Sequence, residues 1–107
     1  MSTDYGVAVT TFSDPETGRR IAEGLLEKRL AACVQTMPIH SAYRWKGAVQ
    51  REAETMMWIK TRTALYPEVE TFIRSMHPYE TPEIVWLPIA AGSPDYLKWI
   101  GDETKPD

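Results

Sequence analysis

The chain has 107 residues, 43% of them hydrophobic and 25% charged, which suits a single folded domain spanning residues 1–107. Its 12 basic and 15 acidic residues give a net charge of −3, which argues against nucleic acid as a partner. The one cysteine excludes an intrachain disulfide, and no apolar segment predicts a signal peptide or a membrane span. We therefore expect a cytoplasmic protein that binds neither nucleic acid nor membrane.

The first two predicted elements are a strand and a helix. The residues from Tyr5 to Phe12 favour an extended strand, with valines at the centre and threonines toward the end. Asp14 suits the N-cap of a helix, and Pro15 suits the first helical position. Apolar residues then recur at helical spacing, so we expect the helix to end near Leu30.

A long β-hairpin is predicted next, with strands at residues 33–47 and 48–61 joined by a turn at Lys46-Gly47. Arms of about 14 residues would extend roughly 46 Å, whereas a domain of this size is only about 34 Å across. The hairpin tip would then overhang its own subunit, and exposed strands pair readily with another chain. We therefore expect an oligomer, and the alternative is that Pro38 folds the hairpin back onto its own subunit.

The predicted turn also sets the register of the two strands. Counting outward from the turn brings Val34 opposite Ile59 and Met37 opposite Met56. Pro38 has no backbone N–H to donate to a ladder. We therefore expect a bulge or bend at Pro38, which would shift the register by one residue.

A second helix, a fourth strand and a short third helix complete the predicted order. The helix covers residues 63–76, with Thr63 as a candidate N-cap, and the strand covers residues 83–89, stopped by Pro88 at a sheet edge. The order β-α-β-β-α-β plus a short C-terminal helix is typical of an α+β, ferredoxin-like sandwich. The polar tail at residues 101–107 is expected to fray.

The loop before the fourth strand carries the first candidate site residues. Residues 77–83, His-Pro-Tyr-Glu-Thr-Pro-Glu, place an imidazole, a phenol and two carboxylates beside two stiffening prolines. Imidazole with carboxylates suits Cu, Zn or Ni, which makes His77, with Glu80 and Glu83, a candidate metal site. The alternative is an ordinary helix-to-strand connection in which the prolines only end the helix.

Several functional classes are disfavoured because their motifs are missing. The chain has no Cys-x-x-Cys pair for a copper chaperone, and its third strand offers only Trp58 and Lys60 for RNA recognition. The first strand exits without a glycine-rich turn that could hold a phosphate, and no nucleophile has an orienting base nearby. The sequence therefore does not predict an enzyme.

Five segments in order give the most specific signal. They are Arg-Leu-Ala-Ala-Cys-Val (29–34), Tyr-Arg-Trp-Lys-Gly (43–47), Ile-Lys-Thr (59–61), His-Pro-Tyr-Glu-Thr-Pro-Glu-Ile (77–84) and Tyr-Leu-Lys-Trp-Ile (96–100). Together they resemble the CutA divalent-cation tolerance family. The resemblance implies a ferredoxin-like homotrimer, similar to the PII signalling proteins, whose long hairpins pair across subunits. It also implies a role in tolerance of copper and other divalent cations, by binding metal or by signalling, without catalysis.

The resemblance further implies a set of site residues and a ligand, Cu²⁺ or another divalent cation. His77 matches the histidine that is a metal ligand in the family. The chain departs from some members at two positions, where Thr10 replaces a cysteine and Met76 replaces a histidine. The positions that gather around a cleft between subunits are matched by Trp45, Glu54, Lys60, Tyr79 and Glu83.

Two hypotheses from different functional classes follow. In the first, the protein binds divalent metal through His77 with carboxylates from its own or a neighbouring chain. In the second, a PII-like trimer takes a small anionic ligand or a partner segment in its cleft, with Lys60 as the positive charge and Trp45 and Tyr79 as walls. A third hypothesis is an enzyme whose site forms only between subunits and uses Tyr79 and Glu83.

Overall fold

The structure, a computed structural model, describes residues 4–106. Its elements follow the predicted order, with one short 3-10 turn at Thr63–Leu65 in addition. The strands and helices are β1 (Tyr5–Phe12), α1 (Pro15–Glu27), β2 (Cys33–Trp45), β3 (Ala48–Arg62), α2 (Tyr66–Met76), β4 (Ile84–Pro88) and α3 (Pro94–Glu103). None of the helices in the described part of the chain has the length and apolar character needed to span a bilayer.

The four strands form one antiparallel sheet in the order β2-β3-β1-β4. Helices α1 and α2 cover one face of the sheet, and α3 lies on the other face, where Tyr96 meets Lys60. This arrangement confirms the predicted α+β, ferredoxin-like class. The core between the sheet and its first two helices contains fully buried side chains from both layers, among them Ala8, Met57, Ile59, Ile21, Leu25, Val69 and Ile73.

Helix α1 begins as predicted but ends earlier. Asp14 Oδ2 accepts hydrogen bonds from the Thr17 backbone N–H at 3.1 Å and from the Thr17 hydroxyl at 2.8 Å. The last helical residue is Glu27, and Arg29 then adopts a left-handed φ of 56°. The N–H groups of Arg29 and Leu30 donate back into the last turn, which is the Schellman arrangement. The prediction that the helix ends near Leu30 was wrong. The left-handed residue that follows a helix is usually glycine, so the arginine at position 29 gave no signal of a helix end.

Helix α2 also begins later than predicted. Thr63 lies inside the 3-10 turn, and Leu65 occupies the N-cap position of α2. The prediction of Thr63 as N-cap was therefore wrong. Pro67 lies in the first turn of α2, where the missing N–H of proline costs least.

The hairpin has the predicted turn and register. Lys46 and Gly47 have φ values of 52° and 82°, as a tight two-residue turn requires. Val34 pairs with Ile59 and Met37 with Met56, and the ladder continues unbroken through Pro38 to the turn. The predicted bulge at Pro38 was wrong. Because β2 is an edge strand, half of its N–H groups face away from β3, and proline is tolerated at such positions.

The hairpin also overhangs the rest of the subunit, as its length predicts. The molecule measures 44 × 28 × 21 Å, and most side chains of β2 beyond Val34 are exposed. Pro38 does not fold the hairpin back, because the strand is continuous through it. The outer half of the hairpin therefore has two sheet faces uncovered by the helices of its own subunit.

The C-terminal part of the chain contains one confirmed and one wrong prediction. Strand β4 pairs with β1 at the sheet edge and ends at Pro88, as expected, although it is one residue shorter at each end. The tail does not fray over its described residues, since α3 continues to Glu103 and Thr104 is 3% exposed. The Lys105 backbone N–H donates to the Arg29 carbonyl at 2.9 Å, a contact distant in sequence. Asp107 lies outside the described residues.

Candidate functional site

A cavity of about 600 Å³ lies between the outer half of the hairpin and the loop before β4. The hairpin supplies two aromatic and two acidic side chains, and β1 supplies one threonine at its end. The loop closes the remaining side. The lining residues are Thr11, Tyr43, Trp45, Glu52, Glu54 and residues 79–83.

Strand alternation explains why these hairpin residues share one face. Side chains two apart on a strand point the same way, which aligns Tyr43 with Trp45 and Glu52 with Glu54. The register pairs Tyr43 with Gln50, so the even-numbered residues of β3 lie on the same face as the odd-numbered residues of β2. This face is opposite to α1 and α2, and the cavity therefore lies outside the hydrophobic core.

Two phenols hold two carboxylates in the cavity wall. The Tyr79 hydroxyl donates to Glu54 Oε2 at 2.7 Å, and the Tyr43 hydroxyl donates to Glu52 Oε1 at 2.5 Å. Burial, reinforced by Glu54, raises the pKa of Tyr79 to about 12. The hydrogen bond to Glu52 raises the pKa of Tyr43 to about 12 as well. Both phenols therefore remain neutral donors at neutral pH and fix the position of the carboxylates.

The cavity is strongly acidic. Four of its lining residues are glutamates, and within the described chain none is lysine or arginine. Lys46 lies at the rim, with its Nζ 3.7 Å from Glu80 Oε1 and 5.6 Å from the centre of the Trp45 ring. Both partners of this ion pair are 71% exposed, so the pair contributes little to stability. Unbalanced negative charge beside low-dielectric walls attracts cations.

His77 lies behind the cavity and is buried, at 9% exposure. Its Nδ1 accepts a hydrogen bond from the Tyr79 backbone N–H at 3.2 Å, which requires a lone pair on that nitrogen. In this tautomer Nε2 carries the proton and donates to the Thr11 carbonyl at 2.6 Å. Both ring nitrogens are therefore engaged, and neither has a lone pair free for a metal ion. The ring instead ties the loop to β1 and sets the position of Tyr79.

The two positions where the chain departs from some CutA members do not border the cavity. Thr10 is fully buried on the core face of β1, and its hydroxyl has no hydrogen-bond partner among the described residues. Met76 is half-buried and packs against the core. Within residues 4–106, no three His, Cys, Asp or Glu side chains converge closely enough to hold a metal ion. The described residues of one subunit therefore do not by themselves form a tight metal centre.

The predicted cleft residues divide into two places. Lys60 is six residues from Glu54 along β3, a distance of roughly 20 Å at 3.3 Å per residue. Its ammonium donates to the Tyr96 hydroxyl at 3.1 Å, with the Tyr96 ring centre 5.1 Å away. Lys60 therefore lies beside α3, on the same face of the sheet as the cavity but at the other end of β3. The cavity brings together the other members of the set, Trp45, Glu54, Tyr79 and Glu83.

Among the hairpin residues of the cavity, sequence reasoning missed two, Tyr43 and Glu52. Each lies two positions before a residue that was predicted, Trp45 or Glu54. The two-residue period of a strand would have identified both of them. Their contribution as a bonded pair needs the three-dimensional structure, because they lie on different strands.

Comparisons with known proteins agree with this geometry. A sequence model of the family described as CutA1 divalent ion tolerance protein matches residues 6–103. The divalent-cation tolerance protein CutA of Thermus thermophilus is 42% identical over 99 residues, covering 92% of this chain and 96% of that protein. Protein CutA of Mus musculus is 42% identical over 99 residues, covering 92% of this chain and 56% of the mouse protein. The chain therefore spans about half the length of this mouse relative.

Solved structures show the same fold. The crystal structure of CutA1 from the psychrotrophic bacterium Shewanella sp. SIB1 matches with a TM-score of 0.94 at 37% identity, covering 99% of this chain and 100% of that one. The periplasmic divalent cation tolerance protein CutA of Archaeoglobus fulgidus matches with a TM-score of 0.91 at 38% identity, covering 94% and 99%. Since the family match includes all three helices and all of the sheet except Tyr5, the chain belongs to the CutA1 divalent ion tolerance family.

Proposed function

We propose that the protein acts in divalent-cation tolerance by attracting cations to its acidic cavity, without catalysing a reaction. The relatives named for divalent-cation tolerance support the biological role. The observation that carries the site is the group of four glutamates around one cavity that no described lysine or arginine lines. A catalytic role finds no support in Tyr79, since a phenol with a raised pKa is a poor base at neutral pH.

The donor atoms indicate what kind of metal ion would be attracted. Carboxylate and phenol oxygens are hard ligands, which suit Mg²⁺, Ca²⁺ or Mn²⁺ better than copper. A tight site does not fit one subunit, so we propose that a cation is held here with part of its water shell. A copper role for His77 stays a prediction, and the engagement of both ring nitrogens counts against it.

A homotrimer is part of this proposal. The overhanging hairpin and the apolar side chains exposed on the α3 side of the sheet, Val85 and Leu87 among them, support association with further copies. Ligands from a neighbouring subunit would then complete the coordination of a cation. A cytoplasmic location also stays a prediction, since the matched protein of Archaeoglobus fulgidus is described as periplasmic.

The alternative, a small anion bound by Lys60, has less support. An anion in the cavity would meet four glutamates, and Lys60 is roughly 20 Å away along β3. The Lys60 ammonium already contacts the hydroxyl and the ring of Tyr96. An anion site would therefore have to form around Lys60 itself, outside the cavity.

Calorimetric titration of Mn²⁺ into the wild type and into Glu54→Gln tests the proposal. We expect the substitution to weaken binding roughly fivefold to tenfold, because it removes one buried charge from the cavity wall. Glu27→Gln is the matched control, since it makes the same charge change on an exposed residue of α1 and should leave binding unchanged. Equal binding by all three proteins would contradict a cation site in the cavity.

A parallel Cu²⁺ titration separates the cavity from His77. The proposal predicts that His77→Gln binds Cu²⁺ as the wild type does, while Glu54→Gln binds it less tightly. Loss of Cu²⁺ binding in His77→Gln alone would restore the histidine hypothesis and contradict the cavity hypothesis.

A further inference from the structure

The cavity is larger than a metal ion needs. Its volume of about 600 Å³ lies within the range of roughly 300–1,000 Å³ that is usual for small-molecule sites. A single water molecule has a share of only about 30 Å³ in the liquid. The space therefore suits an organic molecule, and the charge of the wall requires that molecule to be a cation.

Glu54 is a buried carboxylate without a cationic partner. It is 8% exposed, and its one hydrogen bond within the described chain comes from the Tyr79 hydroxyl to Oε2. Oε1 accepts no bond from any described residue, and no described lysine or arginine pairs with the side chain. Oε1 keeps contact with the solvent of the cavity, since it is not among the buried side-chain atoms that lack a partner. This unpaired carboxylate oxygen is therefore open to a donor that carries positive charge.

A second carboxylate lies at a defined distance from the first. Glu52 is two residues from Glu54 on the same face of β3, which separates the two by about 6.6 Å along the strand. Its hydrogen bond from Tyr43 occupies Oε1 and leaves Oε2 without a partner among the described residues. The two phenols hold the carboxylates in place before any ligand arrives, which lowers the entropy cost of binding.

The walls between these charges are aromatic. Tyr43, Trp45 and Tyr79 line the cavity, and aromatic faces attract ammonium groups and cover methylene groups. The chain's own Lys46 already places its ammonium between the Trp45 ring and a glutamate at the rim. A hydrated metal ion has no methylene groups for these faces to cover, whereas an alkyl ammonium gains from both the faces and the carboxylates.

We infer that the cavity binds a short aliphatic diammonium cation, with one ammonium on Glu54, the other on Glu52, and the methylene chain against the aromatic walls. An extended short diamine places its two nitrogens about as far apart as these side chains are along the strand, about 6.6 Å. The inference rests on the proposed function only for the position of the site. It names a ligand class that competes with divalent metal for the same carboxylates.

Calorimetric titration of putrescine into the full-length protein at low salt tests the inference, with n-butylamine as the comparison ligand of one charge. We expect saturable binding of putrescine that is at least about tenfold tighter than that of n-butylamine, because the second ammonium adds a second ion pair. Glu54→Gln and Glu52→Gln should each reduce this preference, and Glu27→Gln should leave it unchanged. Circular dichroism checks that each variant is folded, and Glu52, which is less buried than Glu54, provides the safer substitution.

Competition with Mn²⁺ separates this inference from the proposed function. Putrescine that displaces Mn²⁺ from the wild type supports a shared site. Mn²⁺ binding that depends on Glu54, without any putrescine binding, overturns the diamine inference and leaves the metal proposal standing. Putrescine binding that depends on Glu54, without any Mn²⁺ binding, supports the inference and contradicts the metal proposal. Putrescine no tighter than n-butylamine, or unaffected by Glu54→Gln, also overturns the inference.

Discussion

A histidine can act as a metal ligand or can hold the backbone in place, and the surroundings of His77 favour the second role. A histidine followed by a proline and two glutamates is typical of a metal site when only the sequence is visible. In the structure the ring is buried, its centre lies 4.5 Å from the centre of the Tyr79 ring at a tilt of 59°, and both of its nitrogens bond to backbone groups. The ring therefore holds in place the loop that forms one wall of the cavity.

Replacement of His77 by alanine should destabilise the protein by about 2–4 kcal/mol. The substitution leaves the Thr11 carbonyl without its donor and the Tyr79 N–H without its acceptor, and it removes a buried ring. Urea denaturation at a fixed protein concentration measures the change. His77→Gln should lose less, since its amide can donate to Thr11, and equal stability of His77→Ala and wild type would contradict a structural role.

Tyr79 should titrate well above the ordinary pKa of tyrosine, at about 12 rather than 10. Because its pKa in the folded state is raised, the stabilisation that it provides is complete below pH 10 and is lost as the pH rises toward 12. A spectrophotometric titration of phenolate absorbance should show a late component that Tyr79→Phe reduces. A titration in which Tyr79→Phe removes an early component instead would contradict the burial of this phenol beside Glu54.

At the scale of elements, predictions succeeded where a local rule and the overall fold agree. The turn at Lys46-Gly47 fixed the hairpin register because a two-residue turn leaves one way to pair the strands. The bulge at Pro38 was wrong because the sequence does not reveal which strand lies at the sheet edge. The early end of α1 depends on Arg29, whose left-handed backbone is accompanied by bonds from its guanidinium to the Asp102 and Glu103 carbonyls. Those partners are distant in sequence and invisible to a local rule.

The candidate site followed the same pattern. The loop residues Tyr79 and Glu83 could be identified because they are close together in the sequence and chemically distinctive. These residues lie near Glu54 because β3, β1 and β4 are neighbours in the sheet, and only the family resemblance indicated this proximity. The family resemblance placed Lys60 in the same set, although Lys60 lies at the other end of β3. Two residues of a long strand can share one face of the sheet and still lie far apart.

At the scale of the whole molecule, the hairpin and the uncovered sheet face point to assembly. A strand pair that extends beyond its own core gains little burial in an isolated subunit, and its edge has unpaired backbone groups. On the α3 side, Leu87 is 42% exposed and lies beside β1 at the sheet edge. A further copy of the chain would cover both features, and it would also bring new ligands toward the acidic cavity.

If the protein forms the homotrimer proposed above, sedimentation equilibrium should give a particle of three times the subunit mass of 12.2 kDa. Leu87→Glu should shift this population toward the monomer, because a charge buried at an interface without a partner costs several kcal/mol. Leu26→Glu is the matched control: Leu26 is 45% exposed on α1, and its replacement should leave the mass unchanged. A monomeric wild type, or dissociation by Leu26→Glu rather than Leu87→Glu, would contradict assembly through the α3 side of the sheet.

Mn²⁺ titration of the dissociated Leu87→Glu variant then shows whether the cavity needs a neighbouring subunit to bind the ion. Binding that weakens with dissociation means that a second subunit contributes to the site.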